Sequence, residues 1–405
     1  MTKIEWTDAT WNPVVGCSII SRGCKNCYAM HLAHRHASNP SMPHYKGTTY
    51  RVNGKTVWTG KRGTAPDHIM LAPLRWRKPR MVFVNSMSDL FHESVPDQII
   101  DRVFAVMALA AGHTFQVLTK RAGRMERYLN TEGRDEKIGW AAHGLIDDWV
   151  HGDGDGKIDA SWTMTSSALI HNLGRLRGQR RAIFNPAHPH PQLWPLPNVW
   201  LGVSVEDQEQ AENRIPHLLD SPAALRFISA EPLLGEINLG EIIHKGVFAW
   251  FKTNALTGDE VMSLAGDKHN IAQSGVDWVI CGGESGRDAR PMHPDWARSL
   301  RDQCVAAGVP FFFKQWGTWQ QDAAGTEHDR AVDLDGKRHR AESPGMMAEW
   351  RQGFLPHHRG MTMMSPVGKK AAGRVLDNRT WDEMPDPRKI AEGDDDMGRE
   401  KAGAS

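Results

Sequence analysis

Six short runs of apolar, β-branched or aromatic residues recur along the chain. They are Met81 to Asn85 (MVFVN), Phe115 to Thr119 (FQVLT), Val199 to Val205 (VWLGVSV), Arg226 to Ala230 (RFISA), Trp278 to Gly282 (WVICG) and Pro310 to Lys314 (PFFFK). Each is nearly continuous in hydrophobicity rather than alternating, the pattern of a strand covered on both faces, as in a parallel sheet. A further extended segment is predicted around Trp11 to Val15. Between the strands, Pro96 to Ala111 sets Ile99, Ile100, Val103, Phe104 and Met107 at helical spacing, and His293 to Ala307 reads the same way. Repeated βα units follow, so the fold class is α/β. A doubly wound open sheet and a (β/α) barrel share this local pattern, and periodicity does not separate them.

Polar residues crowd just past the strand ends: Asn85, Ser86, Ser88 and Asp89; Lys120 and Arg121; Ser204, Glu206 and Asp207; Glu231; Glu284; Lys314 and Gln315. In both architectures the C-terminal strand edge is where sites are built. Residues 1–320 read as the βα body, interrupted by insertions at about 130–197 and 238–275, each longer than an ordinary loop. Such segments serve either as lids over the rim or as surface elaboration. Residues 321–387 read as a C-terminal extension packed on the body, and 388–405, without apolar periodicity, as a disordered tail.

Composition narrows the class. Hydrophobic residues make up 40% of the 405 and charged residues 24%, enough to bury a core. The net charge of +1 gives no whole-chain signature of nucleic-acid or anionic-membrane binding, and leaves room for a local basic groove. No stretch approaches the ~18 consecutive apolar residues of a membrane span. The polar start MTKIEWTDATWNP lacks a signal-peptide layout, so a cytoplasmic location without membrane attachment is expected.

Three of the five cysteines, Cys17, Cys24 and Cys27, fall within eleven residues as C-x6-C-x2-C, with Gly16 and Gly23 before the first two. An odd total and no sign of an oxidising compartment argue against a disulfide framework and for metal-binding thiolates. Three soft thiolates on one loop can hold a [4Fe-4S] cluster with one iron open to an exchangeable ligand. The rival is a structural zinc completed by His31, His34 or His36, which would make the chain a zinc-stabilised, non-catalytic protein that binds nucleic acid or a protein partner. Cys281 and Cys304 stand apart and read as inert core residues.

The cysteine loop after the first strand, followed by βα units, resembles the radical S-adenosylmethionine (SAM) enzymes. More narrowly, TWNPVVGCSIISRGCKNCYA, VNSMSDLFHE, QVLTKR, WLGVSVEDQ with NRIP, RFISAEPLLGEI, DWVICGGESG, ARPMHPDW, VPFFFKQWG and GKKAAGRVLDNRTWDEMP are similar to a phage-associated family of uncharacterised radical-SAM-like proteins. These matches run in order from about residue 3 to 385.

The resemblance implies a partial, radical-SAM-like TIM barrel and an enzyme. Cys17, Cys24 and Cys27 would ligate a [4Fe-4S] cluster whose fourth iron is chelated by the amino and carboxylate groups of SAM. An electron donor such as flavodoxin or ferredoxin would drive cleavage to a 5′-deoxyadenosyl radical, which abstracts hydrogen from an unidentified substrate. Phage association favours a nucleotide or nucleic-acid base.

Further cofactor contacts follow from the resemblance. Ser86, Ser88 and Asp89 occupy the place that meets the SAM amino group, although Asp89 equally suits an N-cap. Lys120 with Arg121 would meet the SAM carboxylate or a substrate phosphate. Ser204 and Glu206 suit ribose hydroxyls, and Glu231 and Lys314 face the same rim. Gly282-Gly283-Glu284 resembles the Gly-Gly-Glu element that receives the SAM amino group, but after a later strand than in that superfamily. The loop departs from the common C-x3-C-x2-C, and the usual aromatic before the last cysteine is here Asn26, with Tyr28 just past it. Both are carried as candidates for the adenine side. No residue is assigned to catalysis.

Two other segments carry weaker signals. His151 to Trp162 resembles part of a calcium loop but has His and Trp at its first and twelfth positions. The basic run Arg175 to Arg181 (RLRGQRR) suits either nucleic acid or solvent.

Overall fold

A computed structural model describes residues 4–150, 184–185, 188–191, 194–246, 249–264, 267–272, 274–321, 329–340, 346, 348–349 and 360–386. Its main sheet has seven strands. They are β1 (Ala9–Trp11), β2 (Met81–Val84), β3 (Thr114–Thr119), β4 (Val199–Ser204), β5 (Leu225–Ala230), β6 (Trp278–Gly282) and β7 (Phe311–Gln315). β2 to β7 each lie within a residue or two of an apolar run in the sequence, whereas the extended segment expected at Trp11 to Val15 divides, β1 ending at Trp11 and Val14–Val15 pairing outside this sheet. The order across the sheet is the order along the chain, and pairing is parallel for β1 with β2, β2 with β3, β5 with β6 and β6 with β7. A doubly wound sheet reverses its strand order at a switch point. This one never does, so the order is that of a (β/α) barrel, here partial, with β1 and β7 as its two ends.

The main helices are α1 (Tyr28–Ala37), α2 (Asp97–Leu109), α3 (Ala122–Leu129), α4 (Arg134–Val150), α5 (Gln208–Leu219) and α6 (Pro294–Ala307). Among the described residues no helix is long and apolar enough to cross a membrane. The calcium-loop-like segment at 151–162, the basic run at 175–181 and the tail at 388–405 lie outside the described residues.

The chain divides into two compact units. The first comprises Met1–Ile20, Ala29–Gly202 and Asp220–Ala224. Its centre is α2, which buries nine of its thirteen residues, as a helix apolar almost all round must. Asp101 is the one charge among them. The Tyr128 hydroxyl donates to it at 2.7 Å and Arg134 Nη1 at 2.8 Å, while the Arg134 guanidinium lies 3.9 Å from the Tyr128 ring. Burial, and then the charge of Asp101, pushes the Tyr128 phenol well above its ordinary pKa, so it stays a donor.

The second unit comprises Ser21–Tyr28, Val203–Leu219 and Leu225–Ser405. In it, α6 begins at a buried His293 whose Nδ1 accepts from the Asp295 N–H at 3.1 Å and whose Nε2–H donates to Gly360 O at 2.7 Å. The helix ends at Gly308 in the left-handed conformation. The insertion at 238–275 holds a four-stranded antiparallel sheet of Ile242–Lys245, Trp250–Thr253, Asp259–Leu264 and Asp267–Ala272. The end of the body and the extension together build another, from Trp319–Gln321, Arg330–Val332, Arg338–His339 and Thr362–Pro366. The extension's last described residues line the open edge of β7: Phe313 N–H donates to Trp381 O and Trp278 Nε1–H to Glu383 O, both at 2.9 Å. That cover removes an edge on which another strand would otherwise pair.

Arg134→Ala leaves the Asp101 carboxylate buried without its cation. A loss of about 3–5 kcal/mol is expected, read as a lowered urea midpoint.

Candidate functional site

In the first unit the C-terminal ends of β1, β2 and β3 meet around Cys17. The chain leaves β1 and pairs Val14–Val15 with Gly63–Thr64. It then turns at Gly16, whose φ is +87° and whose missing side chain would come within 2.2 Å of Lys61 O. Only glycine fits both demands. The segment after β2 braces this turn. Asn85 N–H donates to Trp11 O at 2.8 Å and Val14 N–H to Asn85 Oδ1 at 3.3 Å. Ser88 Oγ donates to Val14 O at 2.7 Å, and Ser86 Oγ to Asn12 Oδ1 at 3.2 Å. Two hydroxyls read from the sequence as cofactor contacts thus hold the entry to the cysteine loop.

Asp89, third of that group, is buried and fully engaged. It accepts from Phe91 N–H at 3.0 Å, Thr119 Oγ1–H at 2.7 Å, Lys120 N–H at 3.1 Å and Arg121 Nη1 at 3.1 Å. Arg121, also buried, is the hub. It donates to both Glu93 oxygens at 3.1 and 2.9 Å, to Ser18 Oγ at 2.7 Å and to Cys17 Sγ at 3.7 Å. Burial alone would lower the guanidinium pKa, but Asp89, Cys17 and Glu93 outweigh it and raise the value. The sequence reading took Lys120 and Arg121 together. Lys120 offers its backbone N–H to Asp89, and its neighbour Arg121 reaches the cysteine.

His92 completes the group. Its Nδ1 accepts from the Ser94 N–H at 3.2 Å, so the neutral ring carries its proton on Nε2 and donates to Ser18 Oγ at 2.9 Å. Burial first, and then the Arg121 charge, lowers its pKa and keeps it neutral. Ser18 Oγ therefore accepts twice, from Arg121 and His92, and its own proton remains to be donated.

In the second unit the segment Ser21–Tyr28 carries the other two cysteines. Arg22–Cys24 forms one 3-10 turn, and Cys27 N–H donates to Cys24 O at 3.3 Å, so the two thiols, three residues apart, sit on successive turns just before α1. Carboxylates from two strand ends hold this segment. Glu206, past β4, accepts from Gly23 N–H at 3.1 Å and pairs with Arg214 of α5 at 2.8 Å. Glu284, past β6, accepts from Asn26 Nδ2 at 3.0 Å and forms a two-pronged pair with Arg290 at 2.6 and 2.9 Å; Arg290 also donates to Arg22 O at 3.0 Å. Asn26 donates again to Asp288 O at 2.8 Å. Asn26, Glu206 and Glu284 thus fix the cysteine segment. Arg214 and Arg290, which complete these clamps, escaped the sequence reading.

The remaining candidates separate. Ser204 Oγ donates to Glu231 O at 3.0 Å. The Glu231 side chain pairs with Lys314 at 2.9 Å, joining the ends of β5 and β7. Tyr28 is half exposed at the start of α1. Of the histidines considered for zinc, His34 meets Thr49 Oγ1 at 3.2 Å and His36 packs on the Tyr45 ring at 5.0 Å.

None of the five cysteines is in a disulfide. Cys281 and Cys304 are buried, whereas Cys17, Cys24 and Cys27 are partly exposed. Burial pushes the Cys304 thiol up to about 12 and Cys281 well above its ordinary value, which makes both inert near neutrality. Among the described residues no three His, Cys, Asp or Glu side chains already stand as a metal-binding group. The fit to a cluster is therefore one of donor chemistry and chain position: three accessible thiols in eleven residues, one already receiving an arginine hydrogen bond.

Fold and site define an α/β protein of barrel strand order with a cysteine loop at the C-terminal edge of its first strand. The chain belongs to a protein family of unknown function, DUF5131, whose model matches residues 1–385. No curated protein and no solved structure matches it.

Two outcomes follow. Gly16→Ala strains a positive-φ turn against backbone and is expected to lower stability by about 2 kcal/mol or more, measured by urea unfolding. His92 has a folded pKa below its ordinary 6.5, so its contribution to stability is whole above that value and is lost as the pH falls through the folded pKa. His92→Gln should narrow the drop in urea midpoint between about pH 7 and pH 5.

Proposed function

We propose that this chain is a radical SAM enzyme that binds a [4Fe-4S] cluster through Cys17, Cys24 and Cys27 and acts on a nucleotide or nucleic-acid base. One observation carries the reading: three partly exposed, non-disulfide cysteines within eleven residues, on the loop leaving the first strand of a singly wound parallel sheet. When bound, the cluster supplies one-electron reductive cleavage of SAM to methionine and a 5′-deoxyadenosyl radical, which takes hydrogen from the substrate.

The chain's own residues hold and orient. Glu206 and Glu284 fix the backbone that presents Cys24 and Cys27, and Arg121 holds Cys17 by a charge-assisted contact to sulfur. The Ser18 hydroxyl is left with a proton to donate beside the first cysteine. Glu231 and Lys314, paired with each other at the strand edge, are the polar groups available to orient a substrate. The substrate class leans on the family resemblance and on the basic run at 175–181. A flavodoxin or ferredoxin is the fitting electron donor.

Purified anaerobically and reconstituted with iron and sulfide, the protein should turn brown and form 5′-deoxyadenosine from SAM under dithionite. Cys17→Ala, Cys24→Ala and Cys27→Ala should each lose the cluster and this product, while Cys281→Ala keeps both. A colourless protein with stoichiometric zinc would replace this reading with a structural metal site in a binding protein.

A further inference from the structure

Arg121 brings a charge to the first cysteine as well as a hold on it. It is a buried cation touching the first cysteine, held by two carboxylates that differ in exposure: Asp89 is 7% exposed at its side chain and Glu93 67%. The Asp89 oxygens are further engaged by Thr119 and by backbone N–H groups, so the guanidinium cannot swing away without breaking a buried network. Ser18 fixes its far end. The result is a positive charge placed rigidly at the Cys17 sulfur, with its strength moderated by a solvent-facing carboxylate.

Resting on the cluster reading above, we propose that Arg121 is a positioning residue for Cys17 that sets the reduction potential of the metal centre bound there, with Glu93 as its counterweight. Reduction adds one electron, delivered by an external low-potential donor, and no protein bond is made or broken. The added negative charge spreads onto the thiolate sulfurs. A guanidinium N–H directed at one sulfur stabilises the reduced form more than the oxidised form and raises the potential, as hydrogen bonds to cluster sulfurs do generally. Glu93 opposes it by partly neutralising the same guanidinium. The two side chains should therefore act with opposite sign, which a merely structural pair would not do. The reading also makes chemical sense of the donor class: a centre eased toward reduction is within reach of a flavodoxin or ferredoxin.

The test uses the full chain, anaerobically reconstituted, without SAM. Iron per chain is measured, and the midpoint potential is taken from a mediated dithionite titration followed by visible absorbance and electron paramagnetic resonance. Arg121→Gln should shift the potential to more negative values, and Glu93→Gln, at an exposed side chain that leaves folding intact, to more positive ones. Unchanged potentials in both, or shifts of the same sign, overturn the proposal. If Arg121→Gln fails to fold by circular dichroism, Glu93→Gln decides alone, and an unshifted potential overturns it. A wild-type chain that takes up no iron overturns the cluster reading and this inference with it, whereas normal uptake with unshifted variants removes only the inference.

Discussion

A carboxylate buried at a strand end must find both a cation and hydrogen-bond donors, since an unpaired buried charge costs several kcal/mol. Three such carboxylates organise the loops of this protein: Asp89 with Arg121, Glu206 with Arg214 and Glu284 with Arg290. Each sits just past a strand, is at most 6% exposed, and accepts from loop backbone as well as from its arginine. The strands supply rigid anchor points, and the carboxylates convert those points into fixed loop positions. The pairs add charge-assisted anchors to the strand pairing at Val14–Val15 and to the single turn at Arg22–Cys24.

This has a consequence for the division of labour along the strand edge. A carboxylate that accepts two hydrogen bonds at each oxygen has no lone pair left for a ligand. Asp89 is in that state, with two donors on each oxygen, and Ser86 and Ser88 donate to the loop entry. Ser18 is less fully engaged, since its two donors leave its own proton to be given, and Glu231 and Lys314 are held by their pairing with each other. Edge residues that look alike in composition therefore differ in how completely the loops engage them.

Much of the fold was legible because strands covered on both faces print as unbroken apolar runs, and VWLGVS of β4 is buried at every position. Strand order was not legible, because periodicity is local and order is set by non-local pairing. The antiparallel sheet at 238–275 also went unread: its strands mix Lys, His and Asp with apolar residues, and such short alternation competes with loop composition. Rim carboxylates could be found from their position after each strand. Their arginines could not, since Arg214 sits eight residues beyond Glu206 on a helix and Arg290 six beyond Glu284 in a loop. Lys120 and Arg121 could only be read together, because adjacent residues just past a strand end reach different surroundings, and sequence does not say which reaches the sulfur.

Gly282-Gly283-Glu284 shows how far packing alone can account for a suggestive motif. A side chain at Gly282 would meet the Glu231 carboxylate at 2.6 Å, and one at Gly283 would meet Trp316 O at 2.0 Å. Glu284 is held by Arg290 and Asn26. Gly283, faced by backbone, thus has a packing cause, whereas the neighbour at Gly282 is the end of a side chain that can move aside. The cysteine loop has no such account. Cys281 and Cys304 show what this chain does with cysteines used as core filler: it buries them completely and leaves their thiols protonated. Cys17, Cys24 and Cys27 are instead kept partly exposed: two buried ion pairs fix the segment of Cys24 and Cys27, and the arginine of a third donates to Cys17. Three buried carboxylate–arginine pairs are a large outlay for presenting thiols that packing does not need, and that asymmetry is the physical ground for reading the loop as chemistry.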